Sequence, residues 1–88
     1  MILGRVIGTV VSTRKHDTLT GCKFLIVETI EEMGQQRMVA VDTVGAGISD
    51  LVMVAQGSSA RIAHYKEHAP IDAAIIGIID NENEIVIK

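Results

Sequence analysis

Residues 73–79 of this 88-residue chain read AAIIGII, and no polar side chain falls on either face of the strand they would form. A strand in an antiparallel sheet with one wet face alternates apolar and polar residues, whereas a strand apolar at both parities needs cover on both sides. A domain this small encloses little, so one core is expected to cover one face and a neighbouring subunit the other, the alternative being a central strand enclosed within the monomer. The first segment, Ile2 to Val11, is likewise apolar at both parities, with Gly4 and Gly8 interrupting it.

The other segments restrict the architecture further. Cys22 to Ile30, CKFLIVETI, has the length and β-branching of a strand. Glu31 to Gln36 reads as a hairpin connection with Gly34 at a turn, and Arg37 to Val41 returns as a third strand. Leu51 to Ala55, LVMVA, is a fourth, ended by Gln56-Gly57. Ser58 or Ser59 is placed to N-cap a short helix through Ala63, and Pro70 stops any helix before it. Ala73 to Asp80 is the next strand, DNENE turns the chain, and Ile85 to Ile87 is expected to pair as a last short strand. No segment supplies the long crossover helices of an α/β fold. The expected class is all-β with one short helix, as a small barrel or sandwich.

Bulk properties narrow the function. Aromatic residues are 2% of the chain against 48% hydrophobic residues overall, so the core is aliphatic. With one cysteine, Cys22, an intramolecular disulfide is impossible, which fits a reducing compartment. The N-terminus has no charged leader followed by a long apolar stretch, and the longest apolar run is far short of the ~18 residues that read as a spanning helix. A soluble, cytoplasmic protein that does not engage a membrane is expected. The formal net charge is −3, and the basic cluster Arg14-Lys15-His16 has no aromatic beside it. Single-strand nucleic-acid modules need a positive groove with stacking rings, so an OB-type nucleic-acid- or ligand-binding module is the alternative and no nucleic-acid partner is expected.

The run VDTVGAGISD, Val41 to Asp50, contains a G-x-G that invites a nucleotide reading. A dinucleotide fingerprint would place its third glycine at Asp50, where a carboxylate repels pyrophosphate, and a strand follows where a helix is needed. No Gly-Lys-Ser/Thr follows, which removes a P-loop. Gly45 and Gly47 are instead expected to permit positive φ or close backbone approach. His64 and His68 have i, i+4 spacing but run into Pro70, without the three or four donors of a tetrahedral metal site. Ser58, Ser59, His64 and Asp72 show no triad spacing. No catalytic residue, cofactor or metal is expected.

Four stretches in order carry a resemblance: GTVVSTRKHDTLTGCKFLIVE, VAVDTVGAGISDLVMVAQGSSAR, APID and AAIIGIID. Together they cover nearly the whole chain and resemble the bacterial microcompartment vertex protein family, also called the EutN/CcmL family. The resemblance implies an OB-like five-stranded β-barrel assembled as a cyclic homopentamer. It also implies a structural, non-catalytic role at the five-fold vertices of a polyhedral shell, with hexameric shell proteins as partners and encapsulated enzymes nearby. Carried over by residue, Gly45, Ala46 and Gly47 match the family's glycine turn, expected near the ring axis or a subunit contact. Ser58, Ser59 and Arg61 match G-S-S-A-R, expected to fix a turn or a neighbour. Ala73, Ile75, Gly77 and Ile79 are the expected interface strand, with Gly77 allowing close approach. One departure stands out: the family often continues G-A-G-x-G-E, and this chain has Ser49 in place of that last glycine.

Overall fold

A computed structural model describes residues 1–13, 15–63 and 70–88. The five strands are β1 (Ile2–Val10), β2 (Phe24–Thr29), β3 (Arg37–Asp42), β4 (Leu51–Gln56) and β5 (Ala73–Ile79), with one helix, α1 (Ser58–Ala63), between β4 and β5. They close into a barrel in the order β1-β2-β3-β5-β4. All neighbours are antiparallel except β3 and β5, which run parallel and pair only at Val41↔Ala74 and Asp42↔Ile75. This is the order of an OB-like barrel, and closure removes most of the unpaired edge that a small sheet would otherwise expose.

Alternation is regular in β2, where Leu25, Val27 and Thr29 point inward and Phe24, Ile26 and Glu28 outward. The barrel interior is filled by short aliphatic side chains, with Val6, Leu25, Val27, Ala40, Val52, Val54 and Ile75 in one cluster. Small residues suit a narrow barrel, and Gly4 shows the tightest fit. A Cβ built there would lie 2.5 Å from Val27 Cγ1 and 2.7 Å from the carbonyl oxygen of Glu28. A register shift between Val6 and Gly8 marks a bulge at Ile7, which bends β1 as its glycines suggest.

Strand β5 corrects the expectation that one core covers only one of its faces. Ala73 and Ile75 face the barrel interior, while Ala74 belongs to a second cluster with Val41, Ala60 and Ile71, against which Ala63 and Ile76 pack. Helix α1 therefore covers the outer face of β5 at Ala74 and Ile76 within the same chain, while Ile78 further along is 39% exposed. The side chain of Ile75, fully enclosed, is not available to a neighbouring copy.

The C-terminal expectation also changes. Ile85–Ile87 form no strand; a 3-10 turn at Glu82–Glu84, capped by the Asn81 side chain, precedes them. At this end β5 is paired with β4 as far as Ile79 but with β3 only as far as Ile75, and the tail does not fill the edge left beyond it. The tail instead borders an open cleft of about 290 Å³ lined by Arg5, Ile30, Glu32, Leu51, Glu82, Ile85 and Ile87. Among the described residues no helix is long and apolar enough to cross a membrane.

Candidate functional site: a glycine turn that closes the barrel

The segment from Asp42 to Asp50 links β3 to β4, and its geometry follows from two carboxylates. Asp42, at the end of β3, has a side chain only 3% exposed. Its Oδ1 accepts the backbone N–H groups of Val44 and Gly45, each at 3.1 Å. An aspartate bonding its own chain two and three residues on is a turn former, because the carboxylate replaces a backbone acceptor. Lys23 Nζ lies 3.8 Å from Asp42 Oδ2 and donates to the Ala46 carbonyl at 2.6 Å. Thr43 adds a tie to β5, its Oγ1 donating to the Ile75 carbonyl at 2.6 Å.

Gly45 has φ of 82°, the left-handed conformation that an L side chain resists. This turn directs Ala46 back into the molecule, where it is fully buried within the barrel cluster. The turn thus acts as a lid with Ala46 as its plug. Within the subunit Gly47 shows neither positive φ nor a close approach: a Cβ there would come no nearer than 3.9 Å to Asp50 Oδ2. Its N–H donates to Asp50 Oδ2 at 2.8 Å, and its carbonyl accepts from Asp50 N–H at 3.0 Å.

Ser49 stands at the third position of this tight turn with φ of 76°. Its N–H donates to the Val6 carbonyl at 2.8 Å, and the Val6 N–H donates to the Asp50 carbonyl at 2.9 Å. A turn needing positive φ at its third residue, joined to a bulge in which two residues oppose one, is a recurring glycine position. The turn is kept despite the loss of glycine, and serine carries the strain. Arg5 supports it from β1: Nη1 donates to the Ser49 carbonyl at 2.7 Å, and Nη2 is paired with the Glu82 carboxylate.

This geometry disposes of a phosphate cradle. A nest for phosphate needs converging N–H groups left for the ligand. Here the N–H groups of Val44, Gly45, Gly47, Ser49 and Asp50 are all engaged within the chain, three of them by carboxylates. Among the described residues no group of three or more His, Cys, Asp or Glu is placed to hold a metal ion. His64 and His68 lie outside the described residues, as do Arg14 of the basic cluster and Tyr65.

The G-S-S-A-R motif divides into two parts. Gly57 turns the chain with φ of 63°, and its carbonyl accepts the Ala60 N–H at 3.1 Å, so the capping position falls to glycine. Ser58 and Ser59 stand exposed in the first turn of α1 and neither is the cap. Arg61 turns inward along the chain, Nη1 donating to the Ile71 carbonyl at 3.2 Å, which fixes the approach to β5. Within the subunit Gly77 makes no close approach, since a Cβ there would meet Met53 Sδ at 3.5 Å, an ordinary contact. The buried plug, the Gly4 contact and the Arg5 link had no sequence signal of their own, because each depends on which residues the barrel brings together.

The fold and this lid define a class: a small closed OB-like barrel whose most distinctive motif serves the backbone. The family model described as Ethanolamine utilisation protein EutN/carboxysome matches residues 1–80, and the chain belongs to this EutN/CcmL family. It is 51% identical to a bacterial microcompartment shell vertex protein, GrpN, of Rhodospirillum rubrum (strain F11), covering 91% of this chain and 93% of the relative. It is 48% identical to a carboxysome shell vertex protein, CcmL, of Gloeobacter violaceus, covering 91% and 83%. Among solved structures, an ethanolamine utilization protein, EutN, superposes with a TM-score of 0.84 at 43% identity, covering 91% of this chain and 86% of that one. The structure of GrpN from Rhodospirillum rubrum, described as a pentameric microcompartment shell protein, gives 0.79 at 49% identity, covering 92% and 94%.

Proposed function

We propose that this chain is a structural shell protein of a bacterial microcompartment in the cytoplasm, forming homopentamers that cap the five-fold vertices of the shell. The observation that carries this reading is similarity to a shell vertex protein over nearly the full length of both chains, at 51% identity. A sheet of hexagonal tiles closes only if pentagonal pieces are included. A ring of identical subunits joins one patch to a different patch on the next copy, and the rotation has to close. The role needs no catalysis, and hexameric shell proteins are the partners that such a vertex would contact, with encapsulated enzymes beyond them.

Native mass spectrometry of the purified chain tests the assembly, with a single pentameric species expected at micromolar protomer concentration. Co-expression with hexameric shell proteins tests the role: closed polyhedral particles are expected with the chain and open or elongated ones without it. A stable monomer that leaves particle closure unchanged would refute the proposal.

A further inference from the structure

The lid over the barrel is held at its two ends by separate groups. At the β3 end Asp42 binds the N–H groups of Val44 and Gly45, and Lys23 holds the Ala46 carbonyl. At the β4 end Ser49 keeps its φ of 76° through two restraints from β1: its N–H bond to the Val6 carbonyl and the Arg5 guanidinium on its own carbonyl. A residue in this region persists only while its surroundings over-determine it, so each restraint matters. The second one is shared. Nη2 of the same guanidinium is paired with the Glu82 carboxylate, and the planar fork ties the aim of one nitrogen to that of the other.

Glu82 belongs to residues 81–88, which lie beyond those matched by the family model. Local chemistry shapes the start of this segment. Asn81 Oδ1 accepts the Asn83 N–H at 2.9 Å, and the Glu84 and Ile85 N–H groups close the turn on the carbonyls of Asn81 and Glu82. Beyond the turn, Ile85 and Ile87 line the open cleft together with Arg5, Ile30 and Leu51. Leu51 pairs with Arg5 across β1 and β4 and directly follows Asp50, so this apolar foothold lies beside the charged one. Yet Val86 is 68% exposed and Ile87 65%, so little burial opposes departure of the segment. A lightly seated segment whose two footholds flank a strained turn has the form of a strap.

We infer that residues 81–88 are a releasable strap that, through Arg5, sets the rigidity of the β4 end of the lid and leaves its β3 end untouched. With the strap away, the guanidinium is no longer aimed by Glu82, the Ser49 carbonyl loses a fixed donor, and the strained turn opens more often. The coupling is reciprocal, so whatever firms the turn also holds the strap, and it runs within one chain whether or not copies assemble. The test compares residue-resolved amide exchange in the full chain, a chain ending at Asp80 and Glu82→Gln. Without the strap the Ser49 and Val6 N–H groups should exchange about threefold to tenfold faster, and in Glu82→Gln about twofold faster, while Val44 and Gly45 stay unchanged. In an Arg5→Lys background the truncation should have no further effect on Ser49, because lysine lacks the fork that joins the two partners. Equal exchange at Ser49 with and without the strap would overturn the inference. So would equal acceleration at Val44 and Gly45, which marks general loosening, or a full truncation effect in the Arg5→Lys chain, which marks a route that bypasses Arg5. Should the shortened chain fail to fold, Glu82→Gln decides by itself, and unchanged Ser49 exchange in it refutes the link.

Discussion

Replacing Ser49 by glycine should stabilise this protein, although glycine usually weakens one. Ser49 holds φ of 76° in a turn closed on both sides, by its N–H to Val6 and by Arg5 at its carbonyl. An L residue in the left-handed region costs about 1–2 kcal/mol through the clash of Cβ with the following carbonyl. Glycine removes that clash but brings more freedom in the unfolded chain, an offset of roughly 0.5–1 kcal/mol. The serine side chain is exposed, so its loss subtracts little. The difference leaves Ser49→Gly more stable by roughly 0–1.5 kcal/mol, with a midpoint of about 0.75 kcal/mol. Ser49→Ala keeps Cβ and the strain, so it should match the parent within about 0.5 kcal/mol. Ser49→Val adds a branched Cβ at positive φ and should be the least stable of the set. Urea unfolding followed by far-UV circular dichroism at one fixed protomer concentration gives the comparison, since assembly itself raises apparent stability. If glycine proved no more stable than alanine at this position, positive φ would not be the cause of the strain.

Two glycines within strands, Gly4 in β1 and Gly77 in β5, should respond differently to alanine. Gly4→Ala is expected to lose about 1–3 kcal/mol, because the new methyl meets Val27 and the Glu28 backbone within 2.7 Å. Gly77→Ala should stay within about 0.5 kcal/mol, since its methyl meets only Met53 at ordinary distance; thermal melts of both variants compare them directly. Asp42→Ala removes the acceptor for the Val44 and Gly45 N–H groups and should cost about 1–3 kcal/mol. Amide exchange should then accelerate at those two positions, and Asp42→Asn, which keeps a carbonyl oxygen there, should recover much of the protection.

The strands were legible because β-branched runs separated by turn residues leave few alternatives in a short chain. Their observed limits differ from the sequence reading mainly at the ends, as where β2 begins at Phe24 instead of Cys22. The glycine turn was legible as a backbone device, since Asp50 and the strand after it argued against phosphate. Ile85–Ile87 misled because β-branching reports fitness for a sheet, while pairing also depends on where the chain is led: the turn at Glu82–Glu84 takes these residues to the cleft beside Arg5 and Leu51. The two-sided apolarity of β5 was read correctly as a demand for cover, but its pattern does not name what covers it.

Local chemistry by itself determined the aliphatic all-β character, the turn positions and the conflict at Ser49, all of which depend on a residue and its near neighbours in the chain. Tertiary structure decided that α1 packs over β5 at Ala74, that Ala46 plugs the barrel and that Arg5 holds the strained turn. Those are contacts between residues far apart in sequence. Periodicity says which side of a strand is apolar, but only closure of the barrel sets which element lies against it.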